Sequence, residues 1–536
     1  MSDAITSNAH DVEGNKEKSL PGGSSPSTPT EGIIESDAQA YGQRGAWSKV
    51  RSAYGLGMTQ VALVGCSCLL CPGMFNALGG IGGGGQVDPS ASSNANAALY
   101  SCFAFVSFFG GSIHNTLGTR LCLFIGACGY PLYIASFLSY NHNQNRGFVI
   151  AAGAILGICA SLFWTAQGAI MLSYPTEQQK GTAFAIVWLL LNIGGVLGSA
   201  IELGISYDST ADSLGDAVYA VFLVLTFLGA CSTLLLKAPS TVVRADGTNV
   251  IVPKGRDWRK EIKGVVMLLF KDPTILLLFP LFLSSNFTYT WQQQMYIARR
   301  FTLRARSLGS MLYWLAQMVA AYMFSFLLDS KRLTRRVRLM VSWVVVFVFV
   351  WVVFGACYHV QLGVTRANTD PDNPDRIPLV DLNTSAFAGG ATLYFWCGFM
   401  DALIQGFAYA IMGAYSNKMA VLASLAGFYK GVQSAGAAAG FGMDSAATGL
   451  MTTLATTWGL CAGALLIMLP VLFYRITNHT TDEEEEREQI NEETGANLPQ
   501  PGEREGKQAK EALGKEVKEE KHAGNLTNDP APVYQA

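Results

Sequence analysis

Two charged residues stand where the chain should be surrounded by lipid. Asp401 interrupts the apolar stretch TLYFWCGFMDALIQGFAYA, and Lys430 interrupts SLAGFYKGVQSAG. Charge at the centre of a bilayer is costly, so such residues mark ion or substrate paths. Asp401 lies about 15 residues from one end of its apolar span and Lys430 about 11 from the end of the next; at ~1.5 Å per residue both fall near mid-membrane. An unpaired ion there would cost several kcal/mol, so the two are expected to pair with each other or to line water. As a pair they could couple an ion or anchor a substrate, with a proton or potassium ion competing with Lys430 for Asp401. As a structural bridge they would only lock two helices.

Uncharged polar residues extend the set. Asn76, Gln167, Gln405 and Gln433 lie within apolar spans, and Trp291 and Gln292 lie in the run Tyr289–Gln294. Each could face a central cavity, or hydrogen-bond a neighbouring helix. Glu202, near the end of its span, is expected to reach water.

Other chemistries find no residues to carry them. The sequence shows no Walker A loop, no HExxH and no Gly-rich nucleotide fingerprint following a strand, so no enzyme activity and no cofactor are expected. The run Gly82–Gly85 follows a membrane span and reads as a flexible hinge. All eleven cysteines lie in apolar stretches. Even Cys66-x-Cys68-x-x-Cys71, with no His or carboxylate beside it, reads as small buried hydrophobes rather than a metal site. A formal net charge of −2 calls for no nucleic-acid partner.

The elements that must position these residues are membrane helices. Half of the 536 residues are hydrophobic and 14% are charged, against about 25% charged in soluble domains. Crossing the hydrocarbon core takes about 20 apolar residues, and lipid forces such spans to be helical. Twelve fit, near 55–81, 97–117, 121–140, 148–173, 182–205, 216–236, 273–296, 307–328, 339–358, 386–412, 419–441 and 449–474. They divide into an N-terminal bundle (47–236) and a C-terminal bundle (273–475) of six helices each. A basic linker (237–272) joins the bundles, and polar tails (1–46 and 476–536) flank them. Lys and Arg follow the even-numbered spans, which places both termini in the cytoplasm. Arg299, Arg300, Arg304 and Arg306 run against that rule. Asn383 opens an Asn-Thr-Ser sequon in the outer loop 359–385 and is a candidate for N-glycosylation. Gly194, Gly195 and Gly198, and Gly436, Gly440 and Gly442, suit close helix packing.

Several motifs are specific. Gly73-Met-Phe-Asn-Ala-Leu-Gly-Gly80 with Gly82–Asp88, Trp164–Pro175, Arg304-x-Arg306-Ser307-Leu308 with Leu312-Tyr313-Trp314, and Gly427–Gly436 resemble fungal Unc-ninety-three-like proteins. The matches run from about 55 to 474. The resemblance implies an all-α membrane protein of the major facilitator fold, with twelve transmembrane helices in two six-helix bundles. It implies that spans one, four and seven, with Asn76, Gln167, Trp291 and Gln292, line the cavity. The superfamily's cytoplasmic gating motif is partly kept: Gly111, Gly118 and Arg120 hold their places, while Asn115 and Thr116 replace an acid and a base. The copy after span eight keeps Asp329 and a basic run that includes Arg335. Animal members of the family include a proposed potassium-channel regulator and an escort of endosomal receptors. Two functions are therefore expected in competition: secondary transport of an ion or small solute by alternating access, or regulation and escort of a membrane-protein partner. In either case the lipid bilayer is the medium.

Overall fold

The computed structural model describes residues 53–85, 90–175, 179–208, 213–245, 273–328, 330, 332–415 and 419–476. The candidate membrane spans all belong to one compact unit, Gly55–Ala536. The polar tails, most of the linker and Asp329 lie outside the described residues.

The described chain is almost entirely helical. Its only strand-like features are two isolated parallel bridges, Leu56 with Val243 and Phe301 with Val380. Among the described residues, nine helices are long and apolar enough to cross a membrane. Three further helical stretches stand where spans two, seven and eleven are expected. Span two is Ser90–Ser107, polar in its first turns, followed by Gly110–Leu117. Span seven is built in pieces: a 3-10 turn Pro273–Leu278, an α-helix Phe279–Tyr289, a π-helix Thr290–Ile297 and a last turn Ala298–Arg300. Span eleven is Met419–Ser445, with Lys430 inside it.

Span one is also interrupted. Pro72 lacks the N–H that an α-helix needs, and a π-turn over Leu69–Gly73 absorbs the fault between Gly57–Cys68 and Met74–Gly80.

The buried apolar residues form two clusters. One runs from Val61 to Val242 and takes in Leu303, and the other runs from Ile275 to Ile476. Lipid tails are as apolar as these side chains, so close van der Waals contact has to hold the helices together. Glycine makes that contact possible. A Cβ on Gly194 would lie 2.3 Å from the Leu69 carbonyl oxygen, and one on Gly436 would lie 1.9 Å from that of Leu283. Gly442, by contrast, faces open space. Between the clusters, span two packs on span eleven and span five (Lys180–Ser206) on span eight (Leu303–Leu328).

Gly82–Gly85 departs from the hinge expected of it. All four glycines have φ between 61° and 76°, a region costly for residues with a Cβ. They are buried, and a Cβ on Gly84 would strike the Phe137 ring at 2.4 Å. The run is a tightly packed left-handed turn. Its Gly82, Gly84 and Gly85 carbonyls accept from Arg306, Tyr219 and the Leu214 N–H.

Candidate functional site

Asp401 sits 16 residues into span ten, Ser385–Tyr415, and is fully buried. Four side chains donate to its carboxylate. Thr288 of span seven bonds Oδ1 at 3.2 Å, while Tyr313 and Gln317 of span eight reach Oδ2 at 3.3 and 3.1 Å. Gln405, one helical turn along, adds a bond at 3.2 Å. Donors on three helices replace the water that a carboxylate would otherwise need.

The direct Asp401–Lys430 pair that the sequence suggests is not formed. Lys430 Nζ donates to Gln433 Oε1 at 2.8 Å. Gln433 Nε2 lies 3.4 Å from Gln405 Oε1, and Gln405 Nε2 reaches Asp401. Two carboxamides thus stand between the charges; the two hydrogens of Gln433 Nε2 have three acceptors within reach, of which Gln405 is the most distant. The reason is geometric: at positions i and i+3 or i+4 on their helices, the amides fill the space between spans ten and eleven. Gln433 is held further by Ser285 at 3.1 Å and Tyr429 at 2.9 Å.

The other expected site residues divide. Asn76 lines a cavity between the clusters with Asn96, Tyr100, Tyr289, Gln293 and Trp314. Its free space, about 20 Å³ for water centres, suits one ordered water. Tyr289 connects that cavity to the chain, because Gln405 donates to its hydroxyl at 3.2 Å. The Gln292 carboxamide lies 3.0 Å from the Tyr313 hydroxyl and so touches the Asp401 network; turned with Nε2 toward that oxygen, it donates and leaves the single Tyr313 proton for Asp401. Trp291 does not join it. It is fully buried, stacks on Tyr296 and donates to Gln361 at 2.9 Å, which makes it a tie between spans seven and nine. Among the described residues, Gln167 reaches only Met171 Sδ, at 3.5 Å on its own helix.

Glu202 is a clear correction. It is wholly buried rather than solvated, and neither oxygen has a hydrogen-bond partner. Span five runs on to Ser206 and packs Glu202 against span eight, facing Arg306.

That end of the molecule also explains the arginines that break the charge rule. Arg306, 2% exposed, donates to the carbonyls of Ile81 at 2.7 Å and Gly82 at 2.5 Å. Arg300 bonds the Val360 carbonyl, and Arg304 pairs with Asp381, whose carboxyl is held well below its ordinary range by that guanidinium. Arg299 lies 3.8 Å from Asp444. Asp444 also accepts from Arg366 at 2.6 Å and Ser93 at 2.5 Å. These arginines are consumed by helix ends and loops instead of reporting topology. The same end carries Gly83 N–H on Gln294 (2.9 Å), Tyr394 on the Gly80 carbonyl (2.7 Å) and the Ser199–Ser310 contact (2.7 Å). Among the described residues, the hydrogen bonds that join the two clusters gather here, at the glycine-turn end. Among the described residues ring contacts also cross between the clusters: Tyr100 on Phe441 beside the glycine-turn end, Lys430 over Trp164 near mid-membrane, and Phe184 against Tyr409 at the far end.

Of the gating residues, Gly118 makes the turn between spans two and three with φ 80°, its N–H on the His114 carbonyl at 2.8 Å. Gly111 lies in the short helix before it, and Arg120 is exposed at the start of span three. Arg335 opens span nine, Arg335–Gln361, but it is Arg336 that bonds the Phe473 carbonyl, at 2.6 Å. Asn383 is exposed in the turn before span ten.

Sequence reasoning missed Thr288, Tyr313, Gln317, Arg306 and Asp444. The spacing of Tyr313 and Gln317, four apart like Asp401 and Gln405, was the available signal. No such signal marks the backbone carbonyls that Arg306 holds.

Helices arranged this way around a buried polar chain define an integral membrane protein of the major facilitator fold. A solved D-xylose–proton symporter has that fold too, with a TM-score of 0.51 over 80% of this chain and 99% of that one, at 12% identity. The family profile described as ion channel regulatory protein UNC-93 matches residues 83–441. An UNC93-like protein of Schizosaccharomyces pombe is 42% identical over 81% of this chain and 86% of its own. UNC93-like protein 1 of Arabidopsis thaliana is 36% identical over 80% and 93%. The chain belongs to the UNC-93 family.

Proposed function

We propose that the protein is a secondary transporter, moving an ion or small solute by alternating access with Asp401 as the coupling residue. One observation carries this reading. A fully buried carboxylate in the middle of span ten is held by donors from spans seven, eight and ten, and linked through Gln405 and Gln433 to Lys430 on span eleven. A structural bridge would need only contact between the charges. A chain of reversible amides lets a proton or cation arrive at one charge and be felt at the other.

In this reading the bundles 47–236 and 273–475 rock about the site, joined by the linker 237–272. The glycine-turn end faces outward and is closed, and both termini are cytoplasmic, as the Lys and Arg bias supports. Tails 1–46 and 476–536 flank the transport unit, and Asn383 is a glycosylation site. The eroded motif around Gly111, Gly118 and Arg120, with Asp329 and Arg335 in the second copy, gates the cytoplasmic side. Nothing in the sequence binds ATP, so an ion gradient drives the cycle.

The test uses full-length protein in liposomes loaded with a pH-sensitive dye, challenged with monovalent cations and a panel of small metabolites. Gradient-dependent flux that vanishes in Asp401→Asn, in a variant that still melts cooperatively well above the assay temperature, is the expected result. Equal flux in Asp401→Asn would sink the mechanism.

The family description favours a second reading, in which the protein regulates or escorts another membrane protein. A stoichiometric membrane partner co-purifying in mild detergent supports that role. A lone monomer with solute flux counts against it.

A further inference from the structure

We propose that Lys430 and the rings around it form a binding site for a small planar organic monoanion. The inference deepens the transport reading and rests on it for its purpose, though binding can be measured without flux.

The ammonium of Lys430 lies over three aromatic rings, at 5.3 Å from Tyr429, 5.6 Å from Trp164 and 5.8 Å from Tyr409. Such a cage suits a cation, and here the chain supplies its own. An ammonium has three N–H donors, and the protein accepts one of them, through Gln433. Among the described residues no carboxylate pairs with Lys430. Asp401 is already satisfied by four donors and stands two amides away. The fixed charge presented among the rings is therefore positive, with donors to spare. A second cation would be repelled, whereas a carboxylate would complete the ammonium's bonding and a flat ring would stack on the aromatic faces.

Access and consequence are set by position. Lys430, Trp164 and Tyr409 are only half-buried, and Trp164 belongs to the first cluster's side while the others belong to the second. An anion that takes the charge of Lys430 weakens its attraction to Trp164, one of the crossings between the clusters. Ligand binding is thereby tied to release of that crossing.

Charge balance adds a proton. Asp401 and Lys430 sum to zero when both are ionised, and a bound monoanion leaves one uncompensated negative charge in a low-dielectric interior. One proton on Asp401 restores neutrality. Besides Lys430, the titratable groups facing Asp401 are the phenols of Tyr100, Tyr289, Tyr313, Tyr394 and Tyr429 and the Cys461 thiol. Phenols and thiols are ordinarily neutral below about pH 8, which leaves Asp401 as the acceptor.

Three probes of one shape and different charge test the site: benzoate, benzamide and benzamidine, each titrated against the melting temperature of the full-length protein near pH 6 and pH 8. Benzoate should raise the melting temperature, more at the lower pH, and the neutral and cationic probes should not. Lys430→Met should weaken the apparent affinity for benzoate at least tenfold. Lys430→Arg should keep it, Trp164→Leu should reduce it, and Asp401→Asn should bind without the pH preference. A shift with benzamidine instead, a benzoate shift that survives Lys430→Met, or no shift with any probe overturns the proposal. Benzoate binding in a protein without gradient-driven flux would keep this site and remove the transport reading. Flux without benzoate binding would do the reverse.

Discussion

The two ends of the interface between the helix clusters are built from different materials. The glycine-turn end is joined by hydrogen bonds, with Arg306 on the Ile81 and Gly82 carbonyls, Tyr394 on the Gly80 carbonyl, the Gly83 N–H on Gln294 and Ser93 on Asp444. Among the described residues, the middle and the far end are joined by ring faces and one ammonium, through Trp164 with Lys430 near mid-membrane and Phe184 with Tyr409 beyond it. Directional bonds to fixed carbonyls hold one geometry and fail abruptly, whereas cation–π and ring contacts tolerate sliding and are sensitive to whatever neutralises the cation. The difference teaches which end a ligand can influence. Between the ends, the Asp401–Lys430 chain belongs to the second cluster's spans, while the first contributes backbone carbonyls and aromatic faces.

The sharpest way to break this comparison is at its centre. Asp401→Ala takes from the buried donors on Thr288, Tyr313, Gln317 and Gln405 the acceptor they share, and should destabilise the fold by ~3–5 kcal/mol. Asp401→Asn keeps an acceptor oxygen and should cost ~1–2 kcal/mol. Equal losses, measured by thermal unfolding in detergent, would mean that the donors are not organised around the carboxylate.

Next comes the glycine-turn end. Arg306→Met removes a buried guanidinium bonded to two carbonyls and should cost ~2–4 kcal/mol, since hydrogen bonds to charged groups contribute ~1.5–3 kcal/mol. It also takes the neighbouring cation from Glu202, which has no hydrogen bond. Glu202→Gln should be nearly neutral alone and should recover part of the Arg306→Met loss. A double-mutant cycle reads that coupling directly, and a coupling of zero would separate the two residues.

A third pair of variants probes backbone strain. Gly82→Ala places a Cβ 1.9 Å from the Gln293 carbonyl oxygen at φ 72° and should destabilise the glycine-turn end by ~1–3 kcal/mol. Gly442→Ala, in a helix and facing open space, should stabilise by up to ~1 kcal/mol. Melting temperatures moving in opposite directions are the expected result.

The smallest effect is at Asp381. Its pKa is lowered by Arg304, so the folded state favours the ionised carboxyl. The contribution is complete above the ordinary aspartate value of about 3.9, and it is lost as pH falls through the lowered folded value. Asp381→Asn should remove this acid-limb slope and lower stability at neutral pH by the same small amount, as suits a partly exposed pair.

Much of this architecture is legible in the amino-acid sequence, because length and apolarity decide where a chain crosses lipid. The expected span 386–412 became Ser385–Tyr415, and 419–441 became Met419–Ser445. Asp401 and Lys430 were legible for the same reason, since charge within an apolar run stands out. Their relation was not. One-dimensional depth put them at one level, but two glutamines on adjoining turns took the place of an ion pair. Glu202 was misread because distance from a helix end says nothing of what packs beside it. Gly82–Gly85 was misread because freedom from a Cβ permits either a hinge or a tight turn, and only the approach of Phe137 and Gln293 decides which.

By itself, then, the sequence determined the medium, the number and order of the spans, the family and the two mid-membrane charges. These come from local apolarity and residue type, which the bilayer reads one helix at a time. The tertiary structure alone decided who meets whom: four donors on Asp401, amides between the charges, Arg306 on the Ile81 and Gly82 carbonyls and Trp164 against Lys430. Those contacts join residues up to 266 positions apart, as 430 − 164 counts for the last of them. Helix rotation and interhelical approach set them, and both are settled only when all the small-residue contacts are made together.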